Sequence, residues 1–372
     1  MNNVLVDAIA TSQQQSAERE VRFFRLQDPA QLEALTQLIA QQPGIRVFDE
    51  IQPQLAELIR LQHPTERLSE SAIAEKVAAH LGNTPPAAYG VWVYYPWSGR
   101  VVHILDEAEF IQLRTSRNQH KITEEERKIL QTKRIGVIGL SVGQSVALAL
   151  AIERLCGELR IADFDKLDLS NMNRIRTGVH HVGILKTVLV AREIAEIDPF
   201  LQVRCYDNGI SEDNIDAFLT DGGPLDILVE ECDGLDIKVL ARQRARAMHI
   251  PVVMDTSDRG MIDVERFDLQ HDLPILHGRI PEDITAAQIR NMQGTERMQL
   301  VDRIVNFNAM STKMQASLAE IGKTITTWPQ LASAVMLGGA AIAHVCREVG
   351  LNSAIASGRY YVDLEQIFNH DK

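Results

Sequence analysis

Between Gly139 and Lys186 the chain carries the residue types that hold a nucleotide. Gly139 and Gly143 bracket Leu140, Ser141 and Val142. A glycine lets backbone approach a phosphate because no Cβ intervenes, and a helix starting there offers free N–H groups to the anion. Asp163 follows about 20 residues on, where a nucleotide-binding βαβ unit places the carboxylate that accepts ribose hydroxyls. Next come Asp163-Phe-Asp165, then Ser170-Asn171-Met-Asn-Arg174, then Lys186 where a helix is expected to begin. A lysine in a first helical turn opposes the helix dipole, so it calls for a nearby anion.

These side chains need elements to present them. Arg134 to Gly139 is a short apolar run that stops at glycine, and Val142 to Leu155 is apolar over a helical length. Further strands are expected at Glu158 to Asp163, Leu201 to Tyr206, Asp226 to Gly234 and Ile250 to Met254, separated by helical patterns. That alternation predicts an α/β protein built on a mainly parallel sheet, with its site along the carboxyl edge. The fourth strand ends in Glu230-Glu231-Cys232-Asp233, where Asp233 by itself reads as a helix cap. Asp258 and Arg259, beyond the fifth strand, border the same edge.

The Asp-Phe-Asp and Ser-Asn-x-x-Arg segments, the lysine after them and the acidic end of the fourth strand together resemble the ThiF/MoeB family of adenylating enzymes, over roughly residues 113 to 350. The resemblance implies a Rossmann-like fold whose parallel sheet carries an antiparallel extension entered at Met261 to Asp268. It implies ATP and Mg²⁺ as cofactors. Asp163 would hold the ribose, and Asn171, Arg174 and Lys186 the phosphates. Gly139, Ser141, Gly143 and Asp165 would line the nucleotide, and Asp233 would take the metal. One or two carboxylates with phosphate oxygens suffice for magnesium. Arg117, in Arg114-Thr-Ser-Arg117-Asn118, matches an arginine that reaches the triphosphate from the second subunit of a homodimer.

The chain also departs from that pattern. Ser141 and Val142 stand where the family has glycines, so a degenerate nucleotide site is a live alternative. Cys156, Cys205, Cys232 and Cys346 form no C-x-x-C pair, which argues against a disulfide framework and against the zinc many relatives bind. No cysteine lies between Cys232 and Cys346, so an activated acyl group is not expected to pass to a thiol of the crossover segment. Cys232 itself reads as a small buried apolar residue.

Outside the family core, residues 1–20 read as a flexible tail and residues 21–112 as a small α+β domain. In that domain Phe48, Ile51, Leu55, Leu58 and Ile59 recur at helical spacing, Ser71 to Leu81 predicts a second helix, and Tyr89 to Leu105 predicts a hairpin turning at Pro-Trp-Ser-Gly. The hairpin's aromatic residues suit packing better than peptide binding. Pro281 to Lys323 is polar and helical, Trp328 to Cys346 is a small-residue helix, and residues 351–372 form a C-terminal extension in which Arg359 to Ile367 adds a strand.

Lys plus Arg is 38 against 50 Asp plus Glu, a net charge of -12, which excludes nucleic acid held by a general basic surface. The N-terminus lacks a basic region and an apolar core of signal-peptide type, and Ala334 to Cys346 is too short to span a bilayer, so a cytoplasmic protein without a membrane partner is expected. The expected activity is ATP-dependent adenylation of a carboxylate on a peptide or small carrier protein, giving an acyl adenylate and pyrophosphate. The N-terminal domain resembles the leader-binding extension of the branch that modifies ribosomally made peptides, the microcin C and pantocin A type. The alternatives are a sulfur-carrier adenylyltransferase, a nucleotide-binding module without turnover, and a dinucleotide oxidoreductase, though hydride transfer has no need of Asn171 and Arg174.

Overall fold

The structure, a computed structural model, describes Leu5 and residues 15–368. The expected tail over residues 1–20 lies mostly outside them. Two compact units divide the chain, one of residues 1–124 with 195–200, the other of residues 125–194 with 201–372.

The first unit is a four-stranded sheet in the order β1-β3-β4-β2, formed by β1 (Arg22–Phe24), β2 (Arg46–Asp49), β3 (Val91–Tyr95) and β4 (Arg100–Ile104). β3 and β4 form the expected hairpin, turned through Pro96–Ser98 with Gly99 left-handed at φ 57°. Its tryptophans serve packing: Trp92 stacks on the buried His103 with ring centroids 4.2 Å apart, and the Trp97 indole donates to Glu196 Oε1 at 2.7 Å. Ile51–Gln62 and Glu70–Leu81 are helices that bury Ile51, Leu55, Leu58, Ile59, Ile73 and Val77 together. Phe48 does not share that helix. It sits in β2, which pairs parallel with β4 and is exposed at all four residues; the strand's ladder to β4 outweighs the helical spacing of one apolar residue.

In the second unit seven strands run in the order β11-β10-β9-β8-β5-β6-β7. They are β5 (Arg134–Ile138), β6 (Glu158–Ala162), β7 (Gln202–Tyr206), β8 (Ile227–Glu230), β9 (Val252–Thr256), β10 (Met261–Glu265) and β11 (Gly358–Tyr361). β5 to β9 are mutually parallel, and β10 and β11 extend the sheet antiparallel, as expected. The central strands are buried on both faces, which is why they read as unbroken apolar runs. The chain leaves β5 toward β6 on one side and β8 on the other, so a crevice opens between the carboxyl ends of β5 and β8.

Helices Gly143–Glu153 and Ala332–Gly350 pack closely together: a Cβ at Gly339 would fall 2.8 Å from the Ser145 carbonyl carbon. Leu235–Ala247 belongs to a different cluster with Phe218, Leu228, Val252 and Ile289. No helix among the described residues is long and apolar enough to cross a membrane.

Gly338 in the long helix leaves room for the Asp255 carboxylate, since a Cβ there would sit 1.7 Å from its Oδ2. Gly338→Ala is expected to destabilise the protein by about 1–3 kcal/mol through overpacking. Urea unfolding measures it, and an unshifted midpoint would mean the helix and β9 separate without cost.

Candidate functional site

Asp163, just past β6, organises the crevice. Its Oδ2 accepts from Leu140 N at 2.7 Å and its Oδ1 from Asp165 N at 2.8 Å, while Lys186 Nζ lies 3.9 Å from Oδ2. One carboxylate thus ties the glycine turn after β5 to the turn after β6. Burial pushes the Asp163 carboxyl up, opposed by the Lys186 charge and the two backbone N–H groups. Gly139 is left-handed at φ 86°, and a Cβ there would lie 2.8 Å from the Glu231 carbonyl, so this position admits only glycine without a shift. Gly143 has ordinary helical backbone; its missing Cβ lets the helix press on Val137.

Lys186 is buried in the first turn of Lys186–Ile197, with Nζ 2.8 Å from Asp165 Oδ2. The anion that its unfavourable place on the helix dipole demanded is therefore at least a carboxylate of the chain itself. The Asp165 side chain stays half exposed.

Ser141 does more than replace a glycine. Its Oγ accepts from Arg174 Nη2 at 2.8 Å and Nε at 3.1 Å, so the hydroxyl fixes the guanidinium over the turn. Burial lowers the Arg174 pKa, countered by the Asp233 charge, which places these two groups within electrostatic reach of each other. Asn171 sits in a turn, Leu169–Asn173, where its Oδ1 accepts from Asp168 N at 3.1 Å. Gln144, which sequence reading passed over, is 2% exposed; its amide bonds Arg176 N and O, holding the Arg174 segment against the helix. Nothing in the sequence but its helical position flagged it.

The structure thus brings Gly139, Ser141, Asp163, Asp165, Arg174 and Lys186 to one end of β5 and β6, with Asp233 opposite at the end of β8. Asn171 lies in the same segment as Arg174. Arg117 sits in a short turn, Ser116–Asn118, of the first unit. Among the described residues, no three His, Cys, Asp or Glu side chains gather as a metal cluster. The Cys232 thiol is pushed well up by burial and by the Glu230 charge, and its Sγ donates to Gly234 O, surroundings that disfavour the thiolate. Asp258 accepts from Ser311, and Arg259 donates to Asp363 and to Ala309 O.

A sequence model of the ThiF family matches residues 115–334, more than half of the chain. The chain belongs to the ThiF family. It is 45% identical over 273 residues to uncharacterized protein MT1398 of Mycobacterium tuberculosis (strain CDC 1551 / Oshkosh), a match spanning 73% of this chain and 38% of that one. It is 26% identical over 145 residues to ubiquitin-like modifier-activating enzyme 5 of Drosophila ananassae, 37% of this chain and 36% of the relative. The chain therefore spans well under half the length of these relatives. A solved structure, E. coli tRNA N6-threonylcarbamoyladenosine dehydratase in complex with AMP, resembles this ThiF protein at a TM-score of 0.46 and 19% identity, over 66% of this chain and 97% of the other.

Two neighbouring buried carboxylates add a feature no motif announced. Glu231 Oε1 accepts from Asp255 N at 3.0 Å, while neither Asp255 side-chain oxygen receives a hydrogen bond. Burial pushes Asp255 up to about 6 and Glu231 well above its usual range, so the pair retains a proton far above the pH at which ordinary carboxyls lose theirs. A carboxyl whose folded pKa is raised stabilises the fold fully below its unfolded value near 3.8 and loses that contribution as pH rises through about 6. Asp255→Asn is expected to flatten the fall in melting temperature between about pH 4 and 6. An identical pH slope in the variant would remove Asp255 as its source.

Proposed function

We propose that this ThiF-family protein binds MgATP and adenylates a carboxylate, releasing pyrophosphate. The observation that carries this is the convergence of Arg174, held over the glycine turn by Ser141, with Lys186, Asp163 and Asp165 on one crevice end. Nucleotidyl transfer needs placed cations more than a protein nucleophile, because the substrate carboxylate attacks the α-phosphorus and only charge must be stabilised. Asp163 has both oxygens on backbone N–H groups yet keeps acceptor capacity for a ribose hydroxyl. Lys186 exchanges its bond to Asp165 for a phosphate, and Asn171 offers its amide beside Arg174.

Asp233, exposed at the opposite lip, is the residue that would hold Mg²⁺ with phosphate oxygens, supplying charge neutralisation there. Arg117 of a second copy completes the phosphate contacts in a homodimer. The acceptor of the activated acyl group is not a thiol of the crossover segment, since no cysteine lies between Cys232 and Cys346.

The carboxylate belongs to a peptide, in maturation of a ribosomally made peptide. The first unit supports this with β2, an edge strand exposed along its length, which suits an added peptide strand. Ubiquitin-like modifier-activating enzyme 5, among the relatives, is named for activating a small protein, which supports the general chemistry; the runner-up is a sulfur-carrier protein as substrate.

The test is formation of AMP and exchange of pyrophosphate with MgATP and candidate peptides. Lys186→Ala and Arg174→Ala are each expected to reduce turnover by about a hundredfold or more, and Cys232→Ala to leave it unchanged. Full activity in both cation variants would overturn the assignment, as would NAD binding in place of ATP.

A further inference from the structure

A cavity of about 360 Å³ lies at the carboxyl ends of β8 and β9. Val142, next to the glycine turn, and Asp233 line it, so it adjoins the place proposed for the nucleotide. Its size is that of a small-molecule or side-chain pocket. The walls are largely apolar, formed by Met254, Met261, Met310, Met314, Val301 and Trp328. Methionine side chains are flexible and polarizable, which lets one pocket accept several apolar shapes. Two cations share the lining. Lys238 is bonded to Glu230 at 2.7 Å, while Arg297 makes no ion pair among the described residues and is available to a carboxyl-bearing ligand.

We infer that this cavity binds the residue carrying the reacting carboxylate and selects a large apolar side chain, of leucine, methionine or phenylalanine size, over glycine. The inference rests on the adenylation reading for the identity of the acid, and adds which acid. A substrate ending in glycine would leave the methionine and tryptophan walls facing an unfilled apolar space, with no partner atoms for dispersion attraction. A side chain that fills the space supplies those atoms and removes apolar surface from water. Selectivity of about tenfold or more is the scale such a pocket delivers. The lining also carries Glu231, Asp233, Asp255 and Asp258, of which Asp258 already accepts from Ser311, so a lysine side chain separates attraction by these carboxylates from filling of the apolar walls.

Calorimetric titration of the full chain with the tripeptides Ala-Ala-Phe, Ala-Ala-Leu, Ala-Ala-Gly and Ala-Ala-Lys reads the pocket without requiring turnover. The phenylalanine and leucine peptides are expected to bind about tenfold or more tighter than the glycine peptide. Val301→Trp fills the cavity and is expected to bring all four to the level of the glycine peptide. Met314→Ala enlarges it and is expected to weaken the leucine peptide more than the phenylalanine one. MgATP affinity, measured on each variant, reports an intact fold. Equal affinity for the glycine and phenylalanine peptides, tighter binding of the lysine peptide, no binding of any, or indifference to both variants would each overturn the inference. Loss of Lys186-dependent ATP binding with side-chain selectivity intact would instead strike only the adenylation reading.

Discussion

The crevice depends on a single carboxylate. Asp163 ends β6 and, through two backbone hydrogen bonds, sets both the turn after β5 and the turn after its own strand. The charge is largely buried, so its partners cannot be replaced by water. Lys186 enters the same cluster from the next helix and balances it. The cations that the proposed chemistry needs are therefore placed before any ligand arrives, which is what electrostatic catalysis requires. Gly139 serves the same end: only without a Cβ can the turn lie against the Glu231 backbone.

Adjacent residues at the end of β8 show how a strand's alternation divides chemistry. Glu230 and Glu231 point to opposite faces of the sheet. Glu230 meets Lys238 and Arg242; burial works to raise it, yet the two cations hold it down at about 2. Glu231 meets Asp255 and is driven up by burial and like charge. Two glutamates side by side in the chain are thus driven in opposite directions, a distinction no sequence spacing encodes.

Ser141 illustrates the limit of motif reading. In sequence it counts as a missing glycine and a damaged phosphate loop. In the fold its hydroxyl receives two hydrogen bonds from Arg174, a residue far along the chain. The loop's departure from the family pattern places a cation as well as removing a flexible residue. Phe48 shows the opposite failure, where a local helical spacing is overruled by pairing with β4, a strand distant in sequence. The apolar cavity at β8 and β9 escapes sequence reading for the same reason, since its methionines come from separate elements that meet only on folding.

What the sequence determined by itself was the alternation of strands and helices and, through the family its motifs resemble, the Rossmann-like sheet with its antiparallel extension. The first follows from local apolar periodicity and the second from short motifs taken together. The tertiary structure alone decided how burial and neighbours push each carboxyl up or down, that Ser141 anchors Arg174, that Asp258 and Arg259 take partners within the fold, and that methionines from separate elements line one cavity. Each of those turns on burial or on partners brought together from distant parts of the chain, and desolvation and packing are properties of the folded molecule.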